Sequence, residues 1–361
     1  MIKVYSPQNH SESKNWLHYL VHPIRAWWGD GTNDWKLHED GFNFYKTLFE
    51  LTDEIDEAEL VFLPLTLNYY IKHNKLTLVD KLISKSKLSS IPVFIWIDGD
   101  QQINYYRDGC YILKYSGYKS RGLQNEIILA ADMKTDLLEE YFSGKLNILE
   151  KSEQPRIGFD GIAEYPFFKL SRLVLKNSMV FLKFKILNEI VEPDPIIPLL
   201  LRRKRLLNSL KFQEDICCNF NLRNSFALGT IGQSRLARIE YIENINSNDY
   251  TFCLRGAANY SLRFYETLCL GKIPLFIDSD CILPFEDKVN WKEVCLFIDE
   301  EDEENLPELI LEAHNKIGNS EFRERQVYCR ELWLNYLSYQ GFYSQFHIKC
   351  NELLDNKQEI N

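Results

Sequence analysis

One run, YTFCLRGAANYSLRFYETLCLGKIPLFID at residues 250–278, constrains this chain more than any other. It reads as strand, glycine-bearing loop, helix, glycine stop and strand. Tyr250–Leu254 is short, apolar and β-prone. Arg255 and Gly256 break it, and a glycine there permits a backbone shape or close approach that a side chain forbids. Asn259 or Ser261 caps the helix that follows. Gly271 sits where a left-handed stop is expected. Ile273–Ile277 reads as a buried parallel strand ending in Asp278. A strand, a loop carrying Gly and Arg, and a helix N-terminus make an anion site, because free N–H groups and the helix dipole face the loop. Arg263 in the first helical turn opposes that dipole, so it calls for a negative partner. That partner is an anionic ligand or Glu266, one turn along the same face. Glu266 can instead accept from a ribose diol.

The chain has 361 residues, 45% of them apolar and 14% aromatic, which is enough for two domains with filled cores. A net charge of −10 argues against a nucleic-acid partner. The nine cysteines are scattered, without metal-ligand spacing, and read as reduced, buried thiols of a cytoplasmic protein. The N-terminus shows no signal-peptide h-region, and no run reaches the ~18 apolar residues of a membrane span.

Along the chain strand and helix alternate, which predicts an α/β layer fold with parallel sheets. Strands are expected at residues 1–5, 59–63, 91–97 and 125–130, with helices at 42–51 and 76–88. Residues 7–40, dense in Trp, His, Asn and Asp, read as a functional loop or pocket wall. The polar stretch 143–156 places a boundary between an N-terminal domain, 1–150, and a C-terminal one, 151–325. Residues 326–361 read as a helical segment that packs back on the first domain. Residues 171–190 are apolar, basic and helical. Leu199–Leu207, a second cationic helix, reads as a solvated face or as a contact for anionic lipid or a phosphate-bearing acceptor. The acidic run 299–304 reads as a solvated loop.

Residues 249–313 resemble the C-terminal core of the exostosin-like glycosyltransferases of family 47. The matching features are Phe252-Cys253-Leu254, Gly256, Arg263, Glu266, Gly271-Lys272-Ile273-Pro274, Asp278, Leu283-Pro284-Phe285, Trp291 and the tail Phe297–Asp302. Residues 54–65 are similar to an N-domain segment of the same family. The resemblance implies a GT-B fold, with two Rossmann-like domains facing across a cleft. It implies an inverting, metal-independent transfer from a nucleotide-sugar, UDP-linked in many members, to a saccharide or glycan acceptor. The chain reads as a bacterial-type soluble or membrane-peripheral member. No cofactor or metal is expected; Asp278-Ser279-Asp280 comes nearest to a metal-binding pair.

Without a metal, charge on the leaving diphosphate needs Arg side chains and backbone amides. Arg223, Arg255, Gly256, Ser261 and Arg263 are the candidates, with Glu266 on the ribose and Asp278 completing the donor set. The alternative for these arginines is an ordinary ion pair. Inversion needs one general base. Asp98 and Asp100 at a strand end and Asp160 at the first C-domain strand are the candidates, beside His22, His38, Asp30, Asp34 and Asp40 in the aromatic loop. Trp27, Trp28 and Trp35, with His38, are candidates for stacking on acceptor sugars; simple packing is the alternative, and it is the expectation for Trp291. Two rival readings stand: a fucosyltransferase-like enzyme using a GDP-sugar, and a non-catalytic glycan-binding or partner homologue.

Overall fold

The structure, a computed structural model, describes residues 1–10, 23–28, 39–99, 102–122, 125–131, 135–163, 167–187, 189–193, 195–196, 198–223, 231–256 and 258–358. Two compact units account for them. Unit 1 comprises Met1–Gly117, Arg121–Lys134 and Asn335–Asn361; unit 2 comprises Tyr118–Ser120 and Thr135–Leu334.

Unit 1 is built on six strands: β1 (Ile2–Tyr5), β2 (Phe49–Thr52), β3 (Leu60–Phe62), β4 (Val93–Trp96), β5 (Cys110–Lys114) and β6 (Glu126–Ile128). They lie in the order β2-β1-β3-β4-β5-β6, and every neighbouring pair is parallel. The short, wholly apolar β3 and β4 are buried along their length, as strands covered on both faces must be. The C-terminal helix Tyr339–Gln358 belongs to this unit. Its Phe346 packs edge-on against Phe94 at 5.4 Å and close to Phe49, Phe62 and Trp96. All five rings are buried, each contributing roughly 1.5–3 kcal/mol. The helix expected at 42–51 instead spans Glu39–Leu48, and Phe49–Thr52 leaves it to pair with β1 as an edge strand.

Unit 2 holds β7 (Arg156–Ile162), β8 (Cys217–Arg223), β9 (Tyr250–Cys253), β10 (Ile273–Ile277) and β11 (Leu296–Ile298). Their order is β8-β7-β9-β10-β11, again all parallel. The two-domain, Rossmann-like α/β reading therefore holds within each unit. The division between the units falls at 134–135, ahead of the expected boundary at 150. The physical reason is local: Arg330 makes a two-pronged pair with Asp136, and the Leu137 N–H donates to Cys269 Sγ at 3.2 Å. These bonds tie residues 136–142 to unit 2.

The helix Leu262–Cys269 stops as the sequence predicts, with Gly271 at φ +62° just beyond it. A Cβ there would also press on Leu146 and on the Gln326 carbonyl, so only glycine suits the position. Seven of the nine cysteines are buried, Cys217 is exposed and Cys218 half-buried, all as free thiols. Among the described residues no helix is long and apolar enough to cross a membrane.

Candidate active site

The carboxyl edge of the unit 2 sheet gathers the polar side chains. Parallel strands end there together, and the loops that leave them carry the chemistry. β7 ends at Asp160 and Gly161, β8 at Arg223, β9 at Arg255 and Gly256, and β10 at Asp278.

Asp160, 3% exposed, is held by its neighbours. Arg223 grips both carboxylate oxygens, one at 2.5 Å, while Asn221 donates at 3.3 Å. Arg223 also reaches Glu240 at 3.0 Å, and these two acids push its guanidinium above its ordinary range. Of the strand-end candidates for the base, Asp160 is thus committed to Arg223. Asp98 lies half-buried just past β4, its backbone N–H and C=O both bonded to the Asn68 side chain at 2.8 and 3.0 Å. Asp100 lies outside the described residues.

Glu266, 2% exposed, faces inward from its helix. It does not pair with Arg263. Arg238 approaches one oxygen at 2.7 Å and the Tyr241 hydroxyl donates to the other. Burial raises the Tyr241 phenol well above its ordinary range, and the Glu266 charge adds to this, so Tyr241 stays a donor. Both partners project from the helix Ile231–Ser247, which sequence spacing alone could not set against Glu266.

Arg263 takes a different course. Its Nη2 donates to the Asp160 carbonyl at 2.7 Å, and its guanidinium lies over the rings of Phe159 at 4.5 Å and Tyr241 at 5.5 Å. Its Nε is buried without a hydrogen-bond partner. Among the described residues no carboxylate pairs with it. Gly161 makes room for it, since a Cβ there would come within 3.0 Å of Nη2.

Ser261 occupies the N-cap position, but no side chain caps the helix. Asn259 is not the cap either; its amide holds the next turn, donating to the Asp280 carbonyl at 3.2 Å and accepting from Ser279 Oγ at 2.8 Å. Gly256 differs from expectation. It has no left-handed φ, and a Cβ built on it meets nothing within 4 Å, so the fold itself does not demand glycine there. Arg255, 6% exposed, donates to the Tyr118 hydroxyl at 3.0 Å and stacks on that ring. Asp278 folds back on its own turn, accepting from the N–H groups of Ser279 and Cys281 at 2.7 and 3.1 Å. Its other oxygen sits 3.5 Å from Lys119 Nζ.

Sequence reasoning assigned Arg203 no place here, and it bridges the loops. It donates to the Ile162 carbonyl at 2.9 Å and the Arg255 carbonyl at 2.8 Å, tying the ends of β7 and β9 together. The cationic segment that supplies it is divided: Leu201, Lys204 and Arg205 are exposed, while other residues turn to the protein. Arg202 pairs with Glu300 at 3.0 Å and Glu303 at 2.6 Å, Arg205 pairs with Glu303, and Leu206 and Leu207 are buried. The acidic run is solvent-exposed at Glu300, Glu301, Asp302 and Glu304, as expected, but it is not an irregular loop. Glu300–Asn305 is a 3-10 helix whose Glu303 lies between the two arginines.

In the N-terminal segment, Trp27 and Trp28 form part of a short helical turn, Arg25–Trp28, and both are half-buried. Trp28 Nε1 is buried without a partner. Trp35, His38, His22, Asp30 and Asp34 lie outside the described residues, as does the Asp40 side chain. Trp291 is packed, as expected: 3% exposed, edge-on to Phe264 at 5.4 Å, with its N–H on the Pro284 carbonyl at 2.9 Å.

Comparison with known proteins falls on this unit. The exostosin GT47 domain matches residues 202–313. The chain is 37% identical over 95 residues to an exostosin-1 homologue of Caenorhabditis elegans, covering 25% of this chain and 24% of that protein. It is 29% identical over 96 residues to a probable β-1,4-xylosyltransferase of Arabidopsis thaliana, 24% of this chain and 23% of the relative. It is 36% identical over 70 residues to a probable glucuronosyltransferase of Oryza sativa, 19% and 16%. The chain thus matches these relatives over a quarter or less of their length. Among solved structures it aligns with TarM at a TM-score of 0.33 and 11% identity, over 72% of this chain and 50% of that one, a likeness too slight to carry an argument. Residues 202–313 of the chain are thus similar to the exostosin GT47 domain.

Proposed function

We propose that the chain transfers a sugar from a nucleotide-sugar, UDP-linked, to a saccharide or glycan acceptor in the cytoplasm, with inversion and without a metal. One observation carries the reading. Arg263 is a cation in the first turn of a helix whose N-cap side chain makes no capping bond, and among the described residues a carbonyl and two rings accompany it. A cation there works against the dipole unless an anion lies alongside. The leaving diphosphate is that anion, held by Arg263 and Arg255 with the amides around Gly256, where the fold leaves open space. Such donors stabilise the charge as it develops. Arg223 stands behind them as a positioning residue through Asp160. Glu266, bonded to Arg238 and Tyr241, fixes the inner face of the helix and leaves its contact with the ribose indirect. Asp98 is the proposed base, and Trp27 and Trp28 the proposed acceptor platform.

Calorimetric titration tests the reading. UDP binds more tightly than GDP, and Arg263→Ala lowers UDP affinity about thirtyfold, the loss of one charge-assisted contact. Sugar transfer survives EDTA. Preference for GDP would support the fucosyltransferase-like alternative, absence of any nucleotide binding the non-catalytic one, and loss of transfer to EDTA with rescue by manganese would end the metal-free mechanism.

A further inference from the structure

The helix Phe167–Leu187 turns its apolar residues outward. Phe168, Leu175, Met179, Leu182 and Ile186 are all exposed, at 84, 64, 62, 61 and 68%. At 3.6 residues per turn they form a single stripe about 60° wide. The one buried residue of the helix, Asn177, lies on the opposite side and donates to the Pro195 carbonyl at 2.9 Å. Half-buried Leu170, Leu173, Val174, Ser178 and Phe184 share the side of Asn177, so the helix already rests on one largely apolar face and leaves a second apolar stripe exposed.

Its charge is equally one-sided. Its 21 residues contain five Lys or Arg and no Asp or Glu, in a chain of net charge −10. By the same periodicity, Lys169, Arg172, Lys176 and Lys183 line one flank of the stripe. Their charges disqualify the helix as a membrane span, and none is found among the described residues. An apolar stripe with a cationic flank matches the two layers of a bilayer interface, acyl chains beneath and anionic headgroups beside. We infer that this helix lies in the surface of a membrane containing anionic lipid, so that unit 2 works against a bilayer. The occupant that fits both features is the bilayer; a second copy of a chain with net charge −10 fits the cations but brings no matching apolar stripe, since its own carries the same positive flank.

Flotation of the full chain with phosphatidylcholine vesicles, with and without phosphatidylglycerol, tests this. The protein floats with the anionic vesicles and much less with the neutral ones, and added salt releases part of it. Leu175→Ser/Met179→Ser/Leu182→Ser lowers partitioning more than about tenfold. Lys169→Gln, Arg172→Gln and Lys176→Gln each lower it about fivefold. All these positions are solvent-exposed, and unchanged circular dichroism confirms that the fold persists. Failure to float, equal flotation of the variants, or equal binding to neutral vesicles overturns the inference. So does self-association in the absence of lipid that the triple Ser variant abolishes.

Discussion

The two edges of the unit 2 sheet treat buried charge in opposite ways. At the amino edge Asp249, His314 and Lys272 are closed in by the chain. Asp249, 1% exposed, accepts from the Arg156 backbone N–H at 3.0 Å, the Arg156 guanidinium at 3.1 Å and Ser152 Oγ at 3.1 Å. His314 bridges the Tyr250 hydroxyl at 3.1 Å and the Ser152 carbonyl at 2.9 Å, and burial keeps it below its ordinary titration range. Lys272, 1% exposed, donates to the Asn147 carbonyl and approaches the Gln326 amide oxygen at 3.5 Å. At the carboxyl edge, by contrast, Arg263 lacks a carboxylate partner and Gly256 faces open space. The same strands thus carry a stabilising end and the end proposed to receive the ligand, and substitutions should separate the two.

The largest effect should come from the amino edge. Asp249→Ala strands the Arg156 N–H and the Ser152 hydroxyl, and should cost about 3 kcal/mol in denaturant unfolding while any protein that still folds binds UDP as before. Arg263→Ala should do the converse, weakening UDP about thirtyfold with a melting temperature close to that of the parent. If the two variants lose stability and binding in the same proportion, the contrast between the edges fails.

Lys272 sharpens the comparison through pH. Burial brings its amine down to about 7, whereas in an unfolded chain it holds its proton to about 10.4. Between those values the unfolded chain binds more protons, so this group makes stability rise with pH across that window. Lys272→Met should therefore raise stability by about 1–2 kcal/mol near pH 7 and flatten the rise, as followed by melting temperature from pH 6.5 to pH 9. A variant with the parent's pH profile would remove Lys272 from the account. The smallest effect belongs to Gly161→Ala. The new methyl crowds the Arg263 guanidinium at 3.0 Å on a backbone at φ +155°, and should weaken UDP a few-fold for a stability loss of about 1 kcal/mol. An unchanged titration would mean that Arg263 has slack at that position.

The carboxyl edge was legible in the sequence in outline. Gly271 as a left-handed stop and Ile273–Ile277 as a buried strand follow from local rules, and so does the placement of Arg263 in a first turn. Partners across the fold were not legible. Arg238 and Tyr241 take Glu266 from Arg263, and Glu303 pairs with Arg202 and Arg205, across roughly a hundred residues of chain in the last case. Two helices that both combine apolar and basic residues, five Lys or Arg in each, thus end differently. Leu200–Lys211 meets an acidic run through Arg202 and Arg205 and buries Leu206, Leu207 and Leu210, while in Phe167–Leu187 Lys183 lies 3.4 Å from Glu189 and Asn177 is the buried residue. The edge strand Phe49–Thr52 escaped for a related reason, because its apolar residue continues the helical period before it and only pairing with Ile2–Tyr5 separates them.

Phe346 reaches the rings of Phe49, Phe62, Phe94 and Trp96 from the last helix of the chain. During synthesis, residues 135–334 are all out before that helix exists. The later-made unit can therefore close first, while strands translated near the beginning wait with one greasy face uncovered, a reversal of the usual amino-to-carboxyl order of domain folding. A ribosome stalled shortly before Asn335 should carry a protease-resistant second unit joined to a first one that is still digestible.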